Sequence, residues 1–157
     1  MAYDSTVDAN IHRKNIQFVY EEIIRPALDE RIENHDLSKL EDPERSCYDK
    51  YIPVLKKCKF GSPEYVAAKQ AMRKEGLSHH YAVNRHHTEH FQNGVKGMNL
   101  IDLVEHIMDC YAASLVSDTP FEEGIQKVIE GYSEDLQSII LNTAREIFKG
   151  QRPGNVE

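Results

Sequence analysis

Five of the eight histidines, His79, His80, His86, His87 and His90, fall within the twelve residues "HHYAVNRHHTEH". Neutral imidazole suits zinc, iron, nickel and copper, and carboxylates extend the choice toward manganese and magnesium. On a continuous helix, His79 and His86, or His80 and His87, would stand two turns apart on one face and could present their rings to a common point. A solvated histidine-rich helix end or an adventitious metal patch would look the same in sequence. A second stretch, "HDLSK", sets His35 beside Asp36 with Lys39 one helical turn beyond; alone it is an ordinary polar helix end. His12 is a third candidate. It shares a helix side with Ile16, Val19 and Ile23, at spacings of four, three and four, so it is expected to point inward. A lone inward histidine is more often a core residue than a ligand, but other imidazoles in the same chain change that weighing.

These residues must be held by helices. Val7, Ile11, Ile16, Val19, Ile23 and Ile24 recur at helical spacing, which predicts a helix over about 6–24 that bends or restarts at Pro26, where proline lacks the amide donor. Asp42-Pro43-Glu44 and Ser62-Pro63-Glu64 each put a capping side chain before a proline, and two more helices should start there. Gly76 should loosen the second of these ahead of the histidines, and "QNGVKGMN" is a loop. Asn99 can cap a helix over about 100–117, Thr119-Pro120 can open a short one, and Ser133 can open the last, which Gly150 closes. No stretch alternates with period two. The expectation is an all-α single domain over 1–157, of about six to seven helices, with a metal-site core over about 7–116 and C-terminal helices over 118–150.

The helix over 100–117 decides where a last ligand could come from. At ~100° per residue, Leu100, Leu103, Val104, Ile107, Met108, Tyr111 and Leu115 cover one broad face, while Asp102, Glu105, His106 and Asp109 form one polar stripe. Such a stripe is normally the wet side. It would line a site if the histidine cluster packs over it, and Ala112, Ala113 and Ser114 are small enough to permit close packing.

Composition narrows the function classes. Lys+Arg 19 against Asp+Glu 26 gives 19 − 26 = −7, so nucleic-acid backbones and anionic membranes are disfavoured partners. No apolar run approaches the ~18–20 residues of a membrane span, and "MAYDSTVDAN" lacks a signal-peptide layout, so a cytoplasmic location is expected. Cys47, Cys58 and Cys110 are odd in number and form no CxxC pair, which fits reduced thiols.

The ordered set His12 … His35-Asp36 … His79-His80 … His86-His87 … Asp109 resembles the HD-domain superfamily of metal-dependent phosphohydrolases, with ligand order H … HD … D on a helical scaffold. Two-metal versions carry additional histidines between the HD pair and the last aspartate. The likeness covers about residues 7–116. Within the superfamily the chain is most similar to a bacterial and phage family of unassigned function, through "HDLSK", "HHYAVNRHH" and "DCYAAS".

The resemblance implies that His12, His35, Asp36 and Asp109 hold one metal, and that Asp36 bridges to a second held by histidines from 79, 80, 86 and 87. One or two divalent ions (Mn, Fe, Zn, Ni or Co) would activate water toward a nucleotide or related small phosphoester. Lys39 would meet a phosphate oxygen, so Asp36 and Lys39 are the implied catalytic residues and Lys39 the substrate-binding one. The Gly-Tyr-Pro signature of cyclic-dinucleotide phosphodiesterases is missing, so cyclic dinucleotides are not the favoured substrate. Two other readings stand beside this one. A di-iron oxygenase could be built on the same ligands, and a non-catalytic helical nucleotide-binding protein could keep a metal for structure. Sequence leaves the substrate, the metal and the oligomeric state open, a homo-oligomer included.

Overall fold

The computed structural model describes residues 5–59, 61–115 and 121–148. Every regular element among them is helical and none is a strand, so the protein is all-α, as the missing period-two pattern predicts. The chain divides into two compact units, residues 1–37 and 38–157.

In the first unit, α1 (Ser5–Val19) passes through a π-helical turn, Tyr20–Ile24, into α2 (Arg25–Glu33). Pro26 stands in the first turn of α2, directly after the π turn, so the helical run continues past its missing amide rather than ending there. Asn34 closes the run, its side-chain amide donating to the Glu30 carbonyl at 2.7 Å. No residue of these three elements is buried. The inward face expected for His12 is not observed: His12 is exposed, and Ile16 and Ile23 beside it are 57% and 53% exposed. A single helical run offers no second layer within residues 1–37 on which to bury a face.

The second unit holds α3 (Glu44–Leu55), α4 (Pro63–Met72), α5 (Ser78–Val83), α6 (Leu100–Leu115), α7 (Phe121–Val128) and α8 (Glu134–Ile147). The expected helix starts are found, but Pro43 rather than Asp42 is the N-cap residue of α3, and among these starts only Ser62 makes a side-chain cap bond from the N-cap position. Asp42 accepts the Ser46 amide at 3.1 Å at the head of α3, Ser62 accepts the Tyr65 amide at 3.2 Å at the head of α4, and Ser133 is the N-cap residue of α8. Thr119-Pro120 and Gly150 lie outside the described residues. A π-helical turn, Arg73–Leu77, joins α4 to α5 without a break. Gly76 in that turn does more than loosen it: a Cβ there would meet the Cys47 Cβ at 2.5 Å, so only glycine lets this backbone approach α3 so closely.

Two apolar clusters hold this unit together. Cys47 and Tyr51 of α3 pack with Met72 and Leu77. Ile107 of α6 packs with Ile125, Ile129 and Ile140, the last three at most 1% exposed. No helix among the described residues is long and apolar enough to cross a membrane.

Candidate metal centre

The polar stripe of α6 faces inward. Asp102, Glu105 and His106 are buried, while Leu100 is 78% and Val104 40% exposed. The reason lies in what packs over the stripe. Arg85 forks onto Asp102, with Nε and Nη2 at 3.0 and 2.9 Å from its two carboxylate oxygens. His86 Nδ1 lies 3.1 Å from Glu105 Oε1, and His106 Nδ1 donates to the His86 carbonyl at 2.8 Å. Buried polar groups are tolerable only when paired in this way. The start of α6 is fixed by a reciprocal cap: the Asp102 amide donates to Asn99 Oδ1 and the Asn99 amide to Asp102 Oδ2, each at 2.9 Å.

The histidines meet by a route that helical spacing did not predict. Helix α5 ends at Val83, and Asn84 takes an extended conformation (φ −100°, ψ 116°), so the segment is not one continuous helix. The Asn84 side-chain amide donates back to the His80 carbonyl at 2.9 Å and to Ser38 Oγ at 2.8 Å, which pins the exit from the helix. The chain then turns, and His87 Nε2 comes to 2.8 Å from His80 Nε2. The His86 and His87 ring centroids are 4.2 Å apart. Ring nitrogens of His80, His86 and His87 all lie within 4.8 Å of one another, and a carboxylate oxygen of Asp109 falls within the same distance of a His86 ring nitrogen.

Behind these rings stand two buried carboxylates. Glu44, 0% exposed, receives His80 Nδ1 and His79 Nδ1, each at 2.8 Å, and the Ser38 hydroxyl at 2.9 Å. Glu105 receives His86 Nδ1. A carboxylate on Nδ1 fixes the tautomer with the proton there, which leaves the Nε2 lone pair as the metal-binding one and makes it more basic. The donor set therefore fits a divalent transition ion: nitrogen-rich, buried, with oriented tautomers and an aspartate at the edge.

The other residues singled out by sequence are placed as follows. His79 is not in the close group; its ring is partly exposed and bonded to Glu44. His90 Nδ1 donates to the Ala82 carbonyl at 2.7 Å and is thereby tied to local backbone. His106 is buried between the His86 carbonyl and the Tyr132 hydroxyl, which lies 3.2 Å from its Nε2; burial holds its pKa below the usual imidazole value, so it stays neutral. Lys39 sits in the 3₁₀ turn Leu37–Leu40 with its ammonium 5.3 Å from the Tyr48 ring centre, and that ring meets His80 edge-on. In the first unit, His12 is exposed on α1, and His35 Nε2 lies 3.5 Å from Asp36 Oδ2. Asp36 has φ 58°, a left-handed backbone that aspartate tolerates better than most residues.

Sequence reasoning passed over Glu44 and treated it as a helix start. The signal was there: Glu44, Cys47 and Tyr51 stand at spacings of three and four, so an acid occupies the apolar stripe of α3. An acid in such a stripe needs a buried partner.

Together the fold and the site define an all-α protein with a buried histidine–carboxylate cluster that could hold a metal ion. The chain belongs to the family of unknown function DUF5662, whose model matches residues 1–146. No curated protein and no solved structure matches it.

Proposed function

We propose that this chain is a metal-dependent phosphohydrolase of the HD type, acting on a nucleotide or a related small phosphoester with water as the nucleophile. The observation that supports this most is the convergence of His80, His86 and His87, two of them backed by buried carboxylates on Nδ1. His80 and His87 Nε2 stand 2.8 Å apart, a hydrogen-bond distance that also lets both rings turn a lone pair toward one ion.

In this reading His80, His86, His87 and Asp109 bind one or two divalent ions, with Mn, Fe, Zn, Ni and Co as the candidates. Glu44 and Glu105 orient the imidazoles. The motif order adds His12, His35, Asp36 and His79 as ligands, and the left-handed backbone at Asp36 fits a residue held for function, since such conformations concentrate at working sites. The bound ion supplies Lewis acidity and acidifies water. Lys39, an ammonium on the turn that also carries Ser38, offsets charge developing on the phosphoryl oxygens.

The test is release of inorganic phosphate from a nucleotide panel by protein loaded with each ion in turn. Turnover with at least one substrate is expected. Lys39→Ala should keep the metal and lose about 10²-fold in rate. Absence of phosphate release with every ion, together with dioxygen consumption by the iron form, would move the assignment to the oxygenase class.

A further inference from the structure

Helices α7 and α8 carry none of the residues assigned to the metal, yet one polar atom of the turn between them reaches the α6 stripe. The Tyr132 hydroxyl lies 3.2 Å from His106 Nε2, and His106 Nδ1 lies 2.8 Å from the His86 carbonyl oxygen. The direction of this chain of bonds follows from its last member. A carbonyl oxygen can only accept, so the neutral His106 ring carries its proton on Nδ1, its Nε2 accepts, and the tyrosine donates. Burial agrees with that role for the tyrosine: it pushes the Tyr132 phenol up to about 12, so the hydroxyl keeps its proton.

Both ends of the chain of bonds are anchored. The Tyr132 amide donates to the Ile129 carbonyl at 2.9 Å and its carbonyl accepts the Gln137 side-chain amide at 2.8 Å, so the ring leaves from main chain pinned on both sides. Ile129 is a member of the apolar cluster with Ile107, Ile125 and Ile140, and the Tyr132 side chain packs against that cluster. At the other end, Arg85 and His86 meet α6 at three positions of one helix face. Asp102 takes the Arg85 fork, Glu105 takes the His86 ring, and His106 takes the His86 main chain. His86 lies between α5 and the 3₁₀ turn Thr88–His90, outside both, so no helical ladder holds its carbonyl. A ligand imidazole needs its ring rotation and its Cα fixed; Glu105 sets the first and His106 the second.

We infer that Tyr132 and His106 are positioning residues for the metal centre: the tyrosine hydroxyl selects the His106 tautomer, and His106 in that tautomer holds the His86 main chain so that its ring stays grouped with those of His80 and His87. This role rests on the metal-binding part of the proposed function and not on the reaction. It gives the turn between α7 and α8 a part in the site without placing any of its atoms on the ion. A histidine present only to satisfy a buried carbonyl would, when lost, lower stability and leave the affinity of each folded molecule for metal unchanged. A positioning histidine changes that affinity and the geometry of the bound ion.

Titration of the metal-free full chain with cobalt, followed by the visible absorption of the bound ion, tests it. His106→Leu should weaken cobalt binding by about 10-fold and alter the absorption envelope. His106→Asn, whose side-chain amide nitrogen can stand where Nδ1 stands, should restore both to near the parent. Tyr132→Phe keeps the ring and its packing, so helicity should match the parent; loss of the hydroxyl should change the ring-nitrogen chemical shifts of His106 and weaken cobalt binding by a smaller factor than His106→Leu. Cobalt binding and spectrum in folded His106→Leu indistinguishable from the parent would overturn the inference, as would equal losses in His106→Leu and His106→Asn, or parent ring-nitrogen shifts in Tyr132→Phe. Parent protein that takes up no cobalt would overturn the metal reading and this role with it, whereas a parent that binds and a His106→Leu variant that binds equally well overturn this role alone.

Discussion

Two buried regions of residues 38–157 are built on opposite principles, and α6 belongs to both. Its Ile107 joins Ile125, Ile129 and Ile140 in a cluster with no polar member. Its Asp102, Glu105 and His106 are equally buried, but among Arg85, His86 and backbone carbonyl. The apolar cluster gains from every methylene removed from water. The polar layer must first recover the desolvation of several carboxylates and imidazoles, which pairing repays only in part. A fold seeking stability alone would not place three ionisable side chains on the inward face of one helix and leave Leu100 outside. The difference teaches that the apolar cluster carries the stability, whereas the polar layer stays buried only because its members are paired with one another.

Substitutions separate the two regions. Ile140→Ala, at a side chain with 0% exposure, should cost about 2–5 kcal/mol in denaturant unfolding while metal stoichiometry per folded molecule stays at the parent level. A fall in stoichiometry larger than the unfolded fraction would show that the regions are not separable. Glu44→Gln should do the reverse. It keeps the volume but replaces a carboxylate that receives His79, His80 and Ser38, so metal affinity should fall by roughly 10–100-fold with helical circular dichroism retained. Parent-like affinity would reduce Glu44 to a packing acid.

Asp102→Asn sharpens the comparison inside the polar layer itself. Periodicity does not rank the acids of the stripe, and with Asp109 taken as the ligand by resemblance, Asp102→Asn would be expected to be nearly silent. The structure gives it the Arg85 fork and the cap of α6 instead. A loss of about 1–2 kcal/mol is expected, with metal affinity within a few-fold of the parent. A larger effect on metal than on stability would make Asp102 a ligand or its direct support. The smallest effect concerns thiols: burial raises the Cys47 pKa and pushes that of Cys110 up to about 12, so both should react slowly with a thiol reagent at pH 8 until denaturant is added. Rapid labelling of Cys110 in the native protein would mean that α6 opens.

Much of this layout is legible in the sequence. The helical class, the caps at Ser62 and Asn99, the helix start at Ser133, and the inward option for the polar stripe all follow from residue type and spacing, because capping and periodicity are local. The assembly of the histidines is not local. His80 and His87 meet because Asn84 leaves the helix and turns the chain, and an asparagine's choice between helix and exit depends on Ser38, far away in sequence. Glu44 was hidden for the same reason, since its imidazole partners stand 35 and 36 residues on. Gly76 reads as a weak point in a helix, yet its role is the approach to Cys47, a contact between helices that no pattern within one helix reveals.

The most direct test of the central claim is metal content. Protein purified without added metal, analysed by plasma mass spectrometry, should contain at least one equivalent of a transition ion, and chelation should lower its thermal midpoint because the ion binds only the folded state. Single His80→Ala, His86→Ala and His87→Ala variants should each lose that ion while keeping parent helicity, and His35→Ala and Asp36→Ala should lose at least one equivalent if the HD pair contributes. Parent protein that carries no transition ion, takes none up on dialysis against Mn, Fe, Co, Ni or Zn, and shows no shift of its thermal midpoint would contradict the account.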